Sequence, residues 1–471
     1  MKLKDLAQVE DDSNVTGFAI DHRKVVSGNV FGAFRGERFN GEDFIDDAVA
    51  HGAIAVVARQ QAKVAGAVHI AATEPRRRFA EMASQFYGPY PETVVAVTGT
   101  NGKTSTVEMT RQLWRMAGHR SASIGTLGVT TADDQVKTGL TTPDIVTFLN
   151  NLAGLERMGI SHVAYEASSH GLDQYRAEGV PLKAVAFTNF SRDHLDYHAD
   201  MDEYFAAKMR LFDEVAETGA AAVIWTDDPK SDAVVDHARR RGLAIMTVGA
   251  KGETIRLVSR NPTPLGQQLV LGHGGIDFRL NLPLIGAYQV NNVLTAAGLV
   301  LATGGDWATT LAGMQRVSPV RGRLERAVIS RRGAPVYVDY AHTPDALEAA
   351  CAALRPHVEQ RLITVFGAGG DRDVGKRAPM GEVAMRSSDV VIVTDDNPRS
   401  EDPAEIRKAI LQGAPDAIEI GDRRAAISEA INMAGSGDII LLAGKGHETG
   451  QIVGDQVLPF DDGQVARECA A

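Results

Sequence analysis

Thiols are nearly absent: Cys351 and Cys469 are the only cysteines in 471 residues, so no disulfide framework holds this chain. Neither lies beside a candidate catalytic group, and Cys351 falls in an Ala-rich helical stretch, where cysteine behaves as a small core hydrophobe. Positive charge is also in deficit, with 49 Lys and Arg against 60 Asp and Glu and a net charge of −11. Nucleic-acid binding needs a basic stripe along a phosphate backbone, and that class is excluded. No apolar run reaches the roughly 18 residues of a membrane span, and Met1-Lys2-Leu3-Lys4-Asp5 has no apolar signal core. Repeats and low-complexity tails are missing as well. What is there is the composition of an ordinary globular protein, 44% apolar and 23% charged, expected in the cytoplasm. The length exceeds what one hydrophobic core sustains, and about three domains are expected.

Proline-containing junctions mark where those domains meet. Gly88-Pro89-Tyr90-Pro91 bars a continuous helix, and Val317-Ser318-Pro319 opens a second break. They divide the chain into residues 1–88, 89–317 and 318–471. In the first, 30–34 and 53–57 read as strands and 44–51 as a helix. In the second, apolar runs at 94–97, 162–165, 184–187, 221–225 and 244–248 alternate with helical stretches, the pattern of a mostly parallel sheet. Residues 254–284 read as an added antiparallel patch, and strands at 336–338, 362–366, 390–393 and 439–442 give a Rossmann-like third unit. The expected fold is α/β in three domains. Gly367-Ala368-Gly369-Gly370 follows a strand, but Arg372 stands where a dinucleotide fingerprint needs its third glycine, which argues against nicotinamide or flavin.

The most informative stretch is Thr98-Gly99-Thr100-Asn101-Gly102-Lys103-Thr104-Ser105, directly after the strand at 94–97. A strand, a Gly-rich turn, Gly-Lys-Thr and a helix make a phosphate cradle, lined by backbone N–H groups and a positive helix start. Lys103 neutralises the outer phosphates, and the hydroxyl of Thr104 or Ser105 can ligate Mg²⁺. The general pattern wants glycine at position 97; Val97 makes this a variant loop. Two clusters follow later strands: Tyr165-Glu166-Ala167-Ser168-Ser169-His170-Gly171-Leu172, and the run from Thr188 to His198. Parallel sheets place ligands at strand ends, so Glu166 and His194 can converge on the loop as a hard Mg²⁺ site. The alternative is that His170, His194 and His198 are ordinary turn residues. In the helix expected at 201–215, Met201, Tyr204, Phe205, Leu211, Phe212 and Val215 share one arc, with Lys208 in its middle. Either that lysine snorkels to water, or burial depresses its amine, which then reacts with CO₂ to a carbamate and becomes a carboxylate-like Mg²⁺ ligand.

Together these motifs resemble those of the Mur ligases, ATP-dependent amino-acid ligases of peptidoglycan synthesis. The resemblance runs through all three units. It includes Asn189-Phe190-Ser191-Arg192-Asp193-His194-Leu195-Asp196, Asn292 in Gly286-Ala287-Tyr288-Gln289-Val290-Asn291-Asn292, Gly322-Arg323-Leu324-Glu325 and Asp339-Tyr340-Ala341-His342-Thr343-Pro344. It implies that ATP phosphorylates a substrate carboxylate and that an amine attacks the acyl phosphate through a tetrahedral intermediate. ATP would be bound by Gly99, Thr100, Asn101, Gly102, Lys103, Thr104 and Ser105 with Asn292, Arg323 and Asp339, the last two after the third domain closes. Lys103, Glu166, His194 and Lys208 are the implied catalytic residues. Thr104, Glu166, His194 and carbamylated Lys208 would hold two Mg²⁺ ions.

Within the family, Thr141, Thr142, Ser168, Gln174 and Arg176 resemble the pocket for UDP-N-acetylmuramoyl-L-alanyl-D-glutamate. Ile20 and His22 belong to a segment resembling the uridine-binding Asp-Ser-Arg, with His22 where serine is usual, and Glu37-Arg38-Phe39 stands where His-Gln-Ala is expected. Asp396-Asn397-Pro398-Arg399 resembles the meso-diaminopimelate recognition motif, and Arg372, Gly444 and Glu448 match the rest of that pocket. An arginine there can grip a carboxylate with two parallel bonds, and lysine as substrate would leave it unpaired. Rivals are an L-lysine-adding ligase, a folylpolyglutamate synthase and a nucleotide-binding module without catalysis. The resemblance implies a monomer.

Overall fold

The computed structural model describes residues 1–36, 39–136, 139–195, 197–263 and 265–471. It comprises two compact units, Met1–Arg256 with Leu294–Gly313, and Leu257–Val293 with Met314–Ala471. Among the described residues no helix is long and apolar enough to cross a membrane.

The first unit holds two sheets. Gly17–Ala19, Asn29–Gly32, Ala53–Ala58 and Val68–Ala71 lie side by side in chain order, all parallel. Alternation divides their side chains: Val30, Ala55 and Val57 join the large core, while Phe31, Val56 and Ala58 pack on Ile45 and Ala48. The helix expected at 44–51 runs Ile45–Ala50, after a 3₁₀ turn at Gly41–Phe44 that Asn40 caps. In the larger sheet the parallel order is Ala244–Gly249, Ala221–Trp225, Ala184–Phe187, Thr93–Thr98, His162–Glu166, Ser121–Gly125. Both faces are covered, which is why these strands read as continuous apolar runs. The chain enters at Thr93–Thr98, builds one side and then crosses to the other at Ala184–Phe187. That switch opens a crevice at the carboxyl ends of these strands, where the loops 98–105, 166–172 and 188–198 emerge.

In the second unit the order is Glu325–Ile329, Pro335–Asp339, Ile439–Ala443, Leu362–Phe366, Val390–Val393, Ile418–Glu419, parallel except for the first strand. Tyr337, Leu362, Phe366 and Leu441 face one core with Leu347, Cys351 and Met380; Val336, Ile363, Val365 and Ile440 face another with Ile427 and Ala430. The carboxyl ends of its strands carry Asp339, Gly444, Gly367 and Asp396 along one edge. The expected antiparallel patch contains the hairpin of Gly266–His273 and Ile276–Leu282, turned by Gly274 and Gly275.

Candidate active site

The phosphate loop is clasped by the strand-end segment that follows Ala184–Phe187. Asn189 O accepts from Thr100 N at 2.8 Å, and Asn189 Oδ1 accepts from Asn101 N at 2.9 Å. Thr188 Oγ1 and Asn189 Nδ2 both donate to Asn101 O, at 2.6 and 3.0 Å. Any side chain at Gly99, where φ is +142°, would run into Thr188 Oγ1. Gly102, at φ 84°, is the left-handed residue that starts helix Lys103–Met116. Lys103 Nζ folds back on the loop, donating to Gly99 O at 3.0 Å and Thr100 O at 2.7 Å. Ser105 is buried in the first turn of that helix.

Glu166 ends its strand in register with Val97 and is 2% exposed. Its Oε2 accepts from Thr104 Oγ1 at 3.0 Å, and its Oε1 from Thr126 N at 2.7 Å. Gly125 is needed beside it, because a Cβ there would overlap the carboxylate. Among the described residues no three His, Cys, Asp or Glu side chains close on one point. A carboxylate and a hydroxyl at the phosphate loop are nonetheless a hard oxygen donor set. Mg²⁺ is held by one or two carboxylates together with substrate phosphates and water, so these residues fit it. His194 sits in the left-handed region at φ 53°, its ring 4.9 Å from that of His170 and 5.8 Å from that of Tyr204.

Helix Met201–Arg210 brings Lys208 under the loop. Lys208 is 1% exposed; its Nζ donates to Gly99 O at 2.8 Å and lies 4.4 Å over the Tyr204 ring. Snorkelling is thereby ruled out. Burial, and then the Lys103 charge, hold its amine well below the ordinary lysine range. Tyr204, which sequence reading placed only in the apolar arc, also donates to Thr100 Oγ1 at 3.2 Å.

The residues expected to hold the UDP-linked dipeptide form a connected group in the same unit. Thr141 Oγ1 lies 3.1 Å from Thr126 Oγ1, and Thr126 is itself bonded to the Glu166 carboxylate. Thr142 Oγ1 donates to Glu166 O at 2.8 Å and accepts from Ser168 N at 3.0 Å, and Ser168 Oγ caps helix Ser169–Asp173. Arg176 donates to Thr142 O at 3.1 Å and Gln174 Oε1 at 2.6 Å. A residue missed in the sequence joins them. Arg76 lies 4.9 Å over the Phe34 ring and donates to Arg35 O at 3.1 Å, with the Asp173 carboxylate near enough to act on its charge. Burial, and then the like charge of Arg176, keep its guanidinium below the ordinary arginine range. Two such guanidiniums suit an anionic ligand. Ile20 is 38% exposed, and His22 stacks on Phe44 at 4.5 Å. Glu37, Arg38 and Asp196 lie outside the described residues.

In the second unit Asp339 is buried and pushed up to about 6 by desolvation, despite accepting from Leu324 N at 2.7 Å and Ala341 N at 2.9 Å. Arg323 stands 5.1 Å over the Tyr340 ring. Gln289 bridges this group, donating to Arg323 O at 2.9 Å and accepting from Asn292 Nδ2 at 3.1 Å. Gly444 N donates to Asp339 O at 3.1 Å, tying the residues expected at the nucleotide to the loop at 444–448. Across the edge, Gly370 N donates to Asn397 O at 2.9 Å, and Arg399 Nη1 to Gly370 O at 2.7 Å. Asp396, Asn397 and Pro398 are buried, while Arg372 is exposed on the adjoining loop. Arg399 takes φ 52°, fixed by N–H donation to Ile452 O at 3.0 Å and by Gly454 N donating to its carbonyl at 2.7 Å.

Residues 14–87 match the family model "Mur ligase family, catalytic domain", 97–300 "Mur ligase middle domain" and 322–446 "Mur ligase, glutamate ligase domain". The chain belongs to the Mur ligase family. A family member from Zymomonas mobilis, named UDP-N-acetylmuramoyl-L-alanyl-D-glutamate–2,6-diaminopimelate ligase, is 58% identical over 98% of this chain and 96% of its own. A relative of the same name from Bradyrhizobium diazoefficiens is 50% identical over 98% of this chain and 97% of its own. A solved Mur ligase structure bearing that name superposes with a TM-score of 0.76 at 32% identity, covering 100% of this chain and 98% of that one. Folylpolyglutamate synthase from Mycobacterium tuberculosis shares the fold, at TM-score 0.63 and 21% identity over 78% of this chain and 91% of its own. The α/β fold expected from the sequence is the one found.

Proposed function

We propose that this protein is the ATP-dependent ligase that joins meso-diaminopimelate to UDP-N-acetylmuramoyl-L-alanyl-D-glutamate in the cytoplasmic synthesis of peptidoglycan precursors. The observation that carries the reading is the edge of the second unit where Asp396, Asn397, Pro398 and Arg399 are fixed beside Gly370 and Glu448. An arginine, a carboxylate and an amide held together suit the amino-acid end of a diamino diacid.

The backbone amides of 99–105 and the Lys103 ammonium bind the outer phosphates of ATP, which releases Lys103 from the loop carbonyls. Arg323, Asp339 and Asn292 take the rest of the nucleotide. Arg76 and Arg176 bind anionic parts of the UDP-linked dipeptide, with Thr141, Thr142, Ser168 and Gln174 around them and Ile20 and His22 toward the uridine. The peptide carboxylate attacks the γ-phosphorus; ADP leaves, and an acyl phosphate remains. Positioning and charge neutralisation are what phosphoryl transfer needs from a protein. The free amine of diaminopimelate then adds to the acyl carbon, and the tetrahedral intermediate collapses to amide and phosphate. Thr104, Glu166, His194 and Lys208, the last as a carbamate, would hold Mg²⁺, which when bound supplies positive charge against the phosphate oxygens. The three-domain division at 88/89 and 317/318, and a monomeric state, belong to this reading.

ADP release with the UDP-dipeptide and either diamine tests it. Turnover is expected with diaminopimelate and not with L-lysine, by a factor of about 10⁴ where a buried polar partner is left unpaired. Lys103→Ala should release no ADP with either. Equal rates with both diamines would remove the role given to Arg399.

A further inference from the structure

Between Gly444 and Glu448 lies a lysine with a different environment from any other in the second unit's edge loops. Lys445 has a fully buried side chain. Its Nζ donates to Asn397 Oδ1 at 3.0 Å and to Glu448 Oε2 at 3.1 Å, and lies 3.9 Å from Asp396 Oδ1. Asn397 Oδ1 accepts a second bond from Ile452 N at 2.9 Å, and Asn397 Nδ2 donates to Glu448 Oε2 at 2.8 Å. Flipping that amide would set its NH₂ group against an ammonium and a backbone N–H, so the orientation of Asn397 is dictated by Lys445 and Ile452. The same ammonium, with the amide, fully engages one oxygen of Glu448. Glu448 Oε1 is left for a ligand, and the side chain is 32% exposed where Lys445 is covered.

A buried cation is costly unless it is paired and hydrogen-bonded, and here two recognition side chains accept from it while a third group, the Asp396 carboxylate, faces it as a charge. It stands beyond the end of the strand Ile439–Ala443, among the pocket residues. The chemistry it serves is that of the pocket. With Arg423, it offsets the repulsion between Glu448 and Asp396, and it is one of the two groups that fix the Asn397 amide.

We propose that Lys445 is a positioning residue for amine selectivity: it presents Glu448 to the distal ammonium of the diamino diacid, while Arg399 takes the carboxylate at the same end. This rests on the ligase reading above. It divides recognition in two, so that loss of Lys445 should erase the preference for a substrate with a distal ammonium and leave the preference for a distal carboxylate.

Three amines separate these effects in ADP-release assays with full-length protein: meso-diaminopimelate, 2-aminopimelate, which lacks the distal ammonium, and L-lysine, which lacks the distal carboxylate. In Lys445→Met, kcat/KM for diaminopimelate should fall about 30-fold or more, the range for removing one partner of a buried charged hydrogen bond. For 2-aminopimelate it should change less than about threefold, since that substrate never used the contact. KM for ATP and for the UDP-dipeptide should stay unchanged. Lys445→Gln keeps a donor for Asn397 without the charge; it should give the same loss of discrimination, and serves if the methionine variant does not fold. An equal loss with all three amines, or wild-type discrimination between diaminopimelate and 2-aminopimelate in either variant, overturns the proposal alone. Wild-type protein that turns over L-lysine as well as diaminopimelate overturns the ligase reading and the proposal with it.

Discussion

Lys208 reaches one carbonyl oxygen and one aromatic face, in a place from which water is excluded. Holding it charged there is unfavourable, and the Lys103 ammonium makes it more so. A neutral amine can attack CO₂: an N–C bond forms, one proton goes to solvent, and the neutral group becomes an anion. Protein kept free of CO₂ should therefore lose ADP release and regain it on addition of bicarbonate. Isotopically labelled bicarbonate should give a carbamate signal that Lys208→Ala lacks. That variant should be slower by about 10²–10³, the loss typical of one electrostatic group in a closed site. Full activity with a bare amine would discard the carbamate. The position of Lys208 was legible from helical periodicity alone, since it lies amid Tyr204, Leu211 and Phe212 on the wheel. Its partner was not. Gly99 is 109 residues away in the chain, and only the sheet order brings the two together. Lys445 was overlooked for a related reason: between two glycines it reads as a solvated loop charge, and its partners come from another segment or a turn.

The element that carries Lys208 starts with a cap, Asp200 followed three residues on by Glu203. Asp200 Oδ1 accepts from Asp202 N at 3.0 Å and Glu203 N at 2.8 Å, while Glu203 Oε2 accepts from Ala199 N at 2.6 Å. The arrangement is a capping box shifted by one residue, with the glutamate holding the N–H that precedes the cap. Asp200→Ala should cost about 1 kcal/mol, seen as a Tm lower by about 2–4 °C, and Asp200→Asn should recover most of it. An unchanged Tm in the alanine variant would show that packing alone fixes the helix start. The far end departs from expectation: the α-helix stops at Arg210, and Leu211–Val215 continues as a π-turn. A fixed 100° step cannot foresee that widening, although it placed the same side chains inside. Strands were legible where both faces are buried, as at Ala221–Trp225, because such strands are unbroken apolar runs. Ser121–Gly125 was missed since its serines look like loop residues. They are buried, with Ser121 Oγ donating to Arg111 O at 2.8 Å and Ser123 Oγ to Glu108. With that strand went Thr126 and its bond to Glu166.

For the molecule as a whole, the proposed chemistry is distributed unevenly between the two units. The first carries the phosphate loop, Glu166, Lys208 and the arginines suited to the UDP-dipeptide; the second carries Asp339, Arg323 and the pocket of Arg399. Acyl-phosphate formation needs no amine, so it should survive damage to the amine pocket. Hydroxylamine, which intercepts acyl phosphates, should trap a hydroxamate from ATP and UDP-dipeptide in wild-type protein. The yield should be nearly unchanged in Arg399→Ala, although that variant no longer turns over diaminopimelate. Lys103→Ala should give none. Asp339→Asn should fall between them, since a nucleotide contact is weakened while the phosphate contacts remain. Should Arg399→Ala lose the hydroxamate as completely as Lys103→Ala, the first chemical step would depend on the amine pocket. The assignment of separate tasks to the two sheets' edge loops would then be wrong, even with the overall ligase activity intact.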